Sequence, residues 1–337
     1  MQIDIKSPYL IFLGGETEKS HAKTAVGIAH WRPELCVGQY RLSGSAIDLG
    51  LSNMTPSEAK TAGAKTLIWG VAGVGGVIPD HCVVALFEAV AAGLDICAGT
   101  HASLSDVPGL AAAAMAKGVI LIDVRSPPAD LPVGSGARRT GKRLLAMGTD
   151  CVIGKKYTSL AIAKEMRGRG WNVDFRATGQ TGIMIAGAGI PIDAVVSDFV
   201  SGAAEVLSPD NDTDHWDFIE GQGGLFTPGY AAVTLGLLHG SQPDAFVVCH
   251  AAGREYSKPF PDFLLPSIPQ LIAQTIACGS LTNNAIRCAG VSINTSTLQA
   301  DERDTYLRQI SDMTGLPCVD PVATGVGPIV DYLDTNF

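Results

Sequence analysis

The chain has 337 residues, a formal charge of −9 from 24 Lys and Arg against 33 Asp and Glu, and 46% hydrophobic but only 6% aromatic residues. That balance argues against nucleic acid as a partner, because phosphate backbones draw on a surplus of Lys and Arg that is missing here. The apolar content excludes a disordered chain, and the length exceeds the ~250 to 300 residues at which single cores split, so two domains are expected.

In chain order, the opening Met1-Gln-Ile-Asp-Ile-Lys places an acid and a base where a signal peptide needs an unbroken apolar run, so a cytoplasmic protein is expected. Short apolar runs at Leu10–Leu13, Thr66–Trp69 and Val119–Asp123 read as buried strands. They alternate with Ala-rich helical stretches at Asp80–Ala92 and Gly109–Lys117. After Thr66–Trp69 come Gly70, Gly73, Gly75 and Gly76, a cluster that invites a dinucleotide-binding reading, but the G-x-G-x-x-G order is absent and no acidic partner for a ribose follows. The most apolar stretch, Val83–Ala98, is broken by Glu88 and Asp95 and is too short to span a membrane. Ser126–Gly136, with three prolines and two glycines, excludes a regular element and divides the chain into domains at 1–135 and 136–337.

Beyond that linker the alternation resumes. Arg143–Met147 reads as a strand, Thr158–Arg167 as a helix, and further strands are expected near Val173 and Phe218 and at Ala245–His250 and Ile286–Ile293. Both halves are therefore expected to be α/β with mainly parallel sheets. The aspartate-rich segment Ser208–Asp217 reads as a solvated surface loop. The eight cysteines form no C-x-x-C pair and no zinc spacing, and so read as buried small hydrophobes in a reducing compartment.

The sharpest motif is Gly148-Thr149-Asp150-Cys151-Val152-Ile153-Gly154-Lys155-Lys156-Tyr157-Thr158, an apolar strand leading into a Gly-bounded loop and a helix. Backbone amides and a helix N-terminus in that context bind phosphate, and the lysine neutralises it. Two features depart from G-x-x-x-x-G-K-[ST]: the gap between the glycines is one residue longer, and Lys156 stands where a Ser or Thr would hold Mg²⁺. A phosphate ligand neutralised by protein, with no metal needed for chemistry, is the favoured reading; Thr158 or Ser159 is the alternative if the loop is shifted. The second motif, Glu220-Gly221-Gln222-Gly223-Gly224 after an apolar run, places a carboxylate and several amides at the C-terminal edge of a sheet, where open α/β folds bind ligands.

These paired motifs are similar to those of the dethiobiotin synthetase branch of P-loop proteins. Together with Ala177–Gly182 (ATGQTG), Asp198–Glu205 (DFVSGAAE) and His239–Pro243 (HGSQP), they resemble more closely the D-glutamate N-acetyltransferase family, long carried as a domain of unknown function. Gly99-Thr-His101 and Asp123-Val-Arg125 extend the resemblance to the first half, although that family's usual loop has Met-Thr-Thr after its Gly-Lys. The resemblance implies a Rossmann-like N-terminal domain, a C-terminal P-loop NTPase-like domain, acetyl-CoA as the nucleotide, and D-glutamate or a close D-amino acid as acceptor. In D-amino acid catabolism such an enzyme acts before an enolase-superfamily partner.

Acetyl transfer to an amine needs a base. Glu220 ranks first, ahead of Asp198 and His250. Arg176 and Arg254 are the expected anchors for substrate carboxylates, assisted by Gln180 and Thr181, with His101 and Arg125 as further contributors. Cys151 at a helix start leaves open an acetyl-cysteine route. Two competing readings remain: a Mg-ATP-dependent ligase or kinase resembling dethiobiotin synthetase, and a non-catalytic nucleotide-binding regulator. A symmetric homo-oligomer is expected from base rates alone.

Overall fold

A computed structural model describes residues 3–71 and 78–337, apart from the side chain of Ser20. The glycine cluster at 73–76 therefore lies outside the described residues. The chain divides into two units. The first comprises Met1–Pro127 together with Gln180–Pro191, and the second Pro128–Gly179 with Ile192–Phe337.

The first unit holds strands β1 (Tyr9–Gly14), β2 (Cys36–Arg41), β3 (Thr66–Trp69), β4 (Asp95–Ala98) and β5 (Leu121–Asp123) in the order β2-β1-β3-β4-β5. Every pairing is parallel. Helices α1 (Lys23–Trp31), α2 (Pro56–Thr61), α3 (Asp80–Ala92) and α4 (Leu110–Lys117) connect the strands. Leu10, Phe12, Leu67, Trp69 and Ile96 meet Leu86 and Leu110 in its core. Strands covered on both faces become continuous apolar runs such as Tyr9–Gly14, which is why they are visible without alternation.

The second unit holds β6 (Lys142–Gly148), α5 (Lys155–Gly168), β7 (Val173–Arg176), α7 (Val200–Leu207), β8 (Trp216–Ile219), α8 (Ala231–Ser241) and β9 (Ala245–Ala251). It closes with α9 (Ile268–Gly279), β10 (Arg287–Asn294), α10 (Ala300–Thr314), β11 (Cys318–Val319) and α11 (Gly327–Asn336). The all-parallel sheet runs β11-β10-β9-β6-β8-β7. The chain leaves β6 for the β7 edge, returns through β8, and then crosses to β9 on the other side. This reversal of direction around β6 is the topological switch at which open α/β sheets take their ligands, outside the carboxyl ends of the strands.

Between Thr178 and Ile192 the chain leaves the second unit to give the first its helix α6 (Gln180–Ala186), whose Thr181, Ile183, Met184 and Ile185 are buried. Arg125 donates to the Gln180 side-chain carbonyl at 2.9 Å, and a Cβ on Gly99 would stand 2.8 Å from the Gln180 Cβ. Gly99 and Arg125 thus meet this helix start.

The Ser208–Asp217 segment departs from the solvated-loop expectation. Asp210, Asp212 and Asp214 are exposed, but Ser208, His215 and Asp217 are buried. Asp217 opens into β8 and accepts from Ser208 Oγ at 2.6 Å, from Arg176 Nε at 2.6 Å and from His215 at 3.1 Å. An aspartate-rich string looks solvated because burial of an acid depends on cations that reach it from other strands.

The DFVSGAAE and HGSQP motifs are packing devices. Ser201 Oγ donates to the Gly236 carbonyl at 3.0 Å, and Glu205 accepts from the backbone of Ser135 and Gly136, pinning the linker. A Cβ on Gly240 would lie 2.1 Å from the Ser201 carbonyl oxygen, so α7 and α8 approach at a distance only glycine permits. Gly240→Ala should therefore destabilise the protein by about 3 kcal/mol through overpacking, read as a lowered denaturant midpoint. A midpoint equal to wild type would mean that the two helices separate without cost.

Candidate functional site

The site is built where the loops following β6, β8, β9 and β10 meet. The loop after β6 runs from Gly148 to Gly154, whose φ of +104° ends it in a conformation natural to glycine. The helix α5 consequently begins at Lys155, three residues before the expected Thr158, so both lysines lie in its first turn. Val152, half-exposed at φ +55°, occupies the left-handed region that a β-branched residue adopts only under strain.

Polar side chains of this loop and of the start of α5 tie it to neighbouring strands and loops. Thr149 Oγ1 and His250 Nδ1, at the end of β9, share a hydrogen bond of 2.8 Å. The buried Asp150 carboxylate accepts from Ser257 Oγ at 2.9 Å, from the Lys258 backbone N–H at 2.8 Å and from Arg254 Nη1 at 3.3 Å. Lys155 is 9% exposed, and its ammonium donates at 2.7 Å to the carbonyls of both Asp150 and Gly223, bridging the loops after β6 and β8. Burial lowers the Lys155 pKa. Thr158 Oγ1 and Ser292 Oγ of β10 lie 2.8 Å apart.

Glu220 stands just past β8 and is buried. Its Oε2 accepts from the backbone N–H groups of Thr178 and Gly179, each at 3.0 Å, and its own carbonyl accepts from Thr178 Oγ1 at 2.7 Å. Burial pushes its carboxyl above the usual carboxylate range, against the pull of Lys156 and the two N–H donors. Gln222 Nε2 donates to Thr178 Oγ1 at 2.9 Å, joining the same wall. Gly221 makes this approach possible, because a Cβ there would fall 1.7 Å from the Ala146 carbonyl oxygen.

Of the sequence candidates, the structure brings together Gly148, Thr149, Asp150, Cys151, Gly154, Lys155, Lys156, Tyr157 and Thr158 with Glu220, His250 and Arg254. The Lys156 ammonium lies 5.7 Å from the centre of the Tyr157 ring. The Arg176 side chain is engaged outside this cluster. Arg176 pairs with Asp217 at 2.6 Å and Asp174 at 3.1 Å, so its charge is already balanced by two carboxylates. Arg254 is held by the loop itself, donating to Asp150 and to the Cys151 carbonyl at 2.9 Å. Asp198 is exposed on the short turn Ser197–Phe199 ahead of α7. Gln180 and Thr181 open helix α6 of the first unit, where Thr181 Oγ1 lies 2.8 Å from Thr24 Oγ1. Cys151 departs from the activated thiol expected at a helix start: burial raises its pKa despite Lys155, which disfavours the thiolate an acetyl-cysteine route needs.

The sequence reading missed Ser257, Lys258, Ser292 and Asp320. Asp320, just past β11, accepts from Thr295 N–H at 2.9 Å, Val322 N–H at 2.8 Å and Ala323 N–H at 2.9 Å, lacing the loops after β10 and β11. No local motif marks it. Among the described residues, Asp174, His215 and Asp217 gather ligand atoms within 4.8 Å of one another, but Arg176 and Ser208 already occupy Asp217.

A parallel sheet with a Gly-Lys loop at its switch point, joined to a second parallel α/β unit, defines a two-domain P-loop protein with a Rossmann-like companion. The chain belongs to the DUF1611 family: residues 132–330 match its P-loop domain and residues 40–127 its Rossmann-like N-terminal domain, both described as domains of unknown function. It is 47% identical over 329 residues, covering 98% of this chain and 99% of the relative, to a protein named D-glutamate N-acetyltransferase from Tritonibacter scottomollicae. A protein of the same name from Pseudoalteromonas sp. is 44% identical over 331 residues, covering 98% of this chain and all of that one. The crystal structure of a DUF1611 family protein from Anabaena variabilis is similar with a TM-score of 0.86 at 32% identity, covering 98% of this chain and 99% of that one.

Burial also lowers the pKa of His250 to about 4 from an ordinary 6.5, with the Arg254 charge adding to the effect. A group protonated more readily in the unfolded chain gives stability that is complete above pH 6.5 and is lost as pH falls towards 4. At about 1.4 kcal/mol per pKa unit this is about 3 kcal/mol. The stability difference between wild type and His250→Gln, measured by urea unfolding, should therefore shrink by that order between pH 7 and pH 4. A constant difference would remove the buried neutral imidazole.

Proposed function

We propose that this chain is an amino-acid N-acetyltransferase that transfers the acetyl group of acetyl-CoA to the amino group of D-glutamate or a close D-amino acid. The observation that carries the reading is its 47% and 44% identity, along almost the whole of each chain, to two proteins named D-glutamate N-acetyltransferase. The site chemistry agrees with it. Acetyl-CoA brings a diphosphate for the amides and lysines at the start of α5, and Lys156, where a Mg²⁺-holding hydroxyl would stand, suits a phosphate ligand neutralised by protein.

In this reading Glu220 is the base. A carboxyl raised by burial lies closer to the operating pH and is the stronger acceptor, whereas His250, lowered to about 4, is the weaker one. The amine nitrogen attacks the thioester carbonyl, Glu220 takes the proton released from nitrogen, the tetrahedral intermediate collapses, and the CoA thiolate leaves and is protonated. Arg254, in the loop after β9, is better placed than the doubly paired Arg176 to meet a substrate carboxylate. The protein acts in the cytoplasm, in the catabolism of D-amino acids.

The test mixes the protein with acetyl-CoA and a panel of D- and L-amino acids in EDTA and follows free CoA with a thiol reagent. Release with D-glutamate and none with L-glutamate is expected; turnover only when Mg-ATP replaces acetyl-CoA would overturn the reading in favour of a ligase. In the same assay Lys155→Ala should raise the KM for acetyl-CoA at least about tenfold through the lost charge-assisted contact. Glu220→Gln should lower kcat by about 10²- to 10⁴-fold and abolish the acid limb of its pH profile. Full turnover by Glu220→Gln would pass the base to another group.

A further inference from the structure

Beside the start of α5 lies a cavity of ≈ 470 Å³ that the site described above leaves unused. That volume falls within the range of small-molecule pockets, about 300–1,000 Å³. It opens on Gly154 and Tyr157, so whatever fills it is contiguous with the phosphate loop. Tyr157, Leu298 and Val322 supply flat and aliphatic walls, and the Asn294 carboxamide supplies a donor and an acceptor. The Asp320 carboxylate also lines the cavity, but its acceptor capacity is spent on Thr295, Val322 and Ala323. Its work is to hold the two walls at their spacing.

Among the described residues, Arg303 is the one cationic side chain lining this cavity. It sits in the first turn of α10, about a quarter exposed, and its recorded ion pair is a 3.5 Å contact from Nε to its own exposed neighbour Asp304. A single exposed pair of that kind contributes little and yields readily to a better anion. The cavity thus presents apolar walls, a hydrogen-bonding amide and a weakly engaged guanidinium, in continuity with a diphosphate-binding loop. A nucleotide with a further phosphate on its ribose brings a second anionic group, apart from the diphosphate, for that guanidinium.

We propose that this cavity takes the 3′-phosphoadenosine end of the acyl donor and that Arg303 selects for its 3′-phosphate. The proposal rests on the acetyl-CoA reading and adds to it the determinant separating CoA from nucleotides without the extra phosphate. A charge-assisted guanidinium–phosphate contact of about 1.4–2.7 kcal/mol corresponds to a discrimination of about 10- to 100-fold.

The experiment compares acetyl-CoA with acetyl-dephospho-CoA in steady-state kinetics, and CoA with dephospho-CoA in calorimetric binding, for wild type and Arg303→Ala. Wild type should show a KM and a Kd about 10- to 100-fold higher for the dephospho compounds. In Arg303→Ala the two donors should become equivalent, because acetyl-CoA loses its advantage, and Arg303→Lys should restore part of it. Equal use of both donors by wild type, or undiminished discrimination by Arg303→Ala, would overturn the role of Arg303 while leaving the acetyl-CoA reading intact. If neither CoA nor dephospho-CoA binds wild type, both readings fall.

Discussion

The loops at the carboxyl edge of the second sheet are arranged around a buried ammonium. Lys155 is almost wholly withdrawn from water, and a cation in that position is tolerable only where fixed acceptors replace its hydration. The carbonyls of Asp150 and Gly223 are those acceptors, and they belong to loops that follow different strands. Satisfying one charge therefore fixes the distance between two loops. Gly221, with no room for a side chain against the Ala146 carbonyl, lets the second loop come close enough. Asp150 extends the same logic to the loop after β9, and Thr158 to β10.

Desolvation acts on Glu220 and His250 in a common sense, since it disfavours charge on both. It drives the Glu220 carboxyl up and the His250 imidazole down. Their partners differ in kind. Glu220 accepts from two backbone N–H groups in a fixed turn, whereas His250 shares a side-chain hydroxyl. A carboxyl among preorganised backbone dipoles keeps its surroundings fixed, whereas a hydroxyl partner can rotate.

The regular elements were largely legible in the sequence. Thr66–Trp69 and Asp80–Ala92 occur at the expected residues, because buried parallel strands are unbroken apolar runs and Ala-rich helices carry their own propensity. The phosphate loop was legible for a similar reason, since its chemistry lies in contiguous backbone. Long side chains were not. Arg176 and Arg254 look alike in the sequence, yet one answers two carboxylates on its own sheet and the other clasps the phosphate loop. Asp320 and Ser257 carry no local signature, because what they do is decided by loop residues 25 and 107 positions away in the chain.

The excursion that lends α6 to the first unit has a consequence for how the protein is made. A chain emerging from the ribosome has completed all five strands of the first sheet at Asp123, but the helix that packs beside α1 is not available until Ala186. In between come β6, α5 and β7, three elements of the other unit. The first unit thus waits, with Thr24 of α1 lacking its partner Thr181, for a segment encoded within its neighbour. Cutting the gene at the proline-rich linker would sever neither fold cleanly, and the two units have to be inherited, synthesised and rearranged as one.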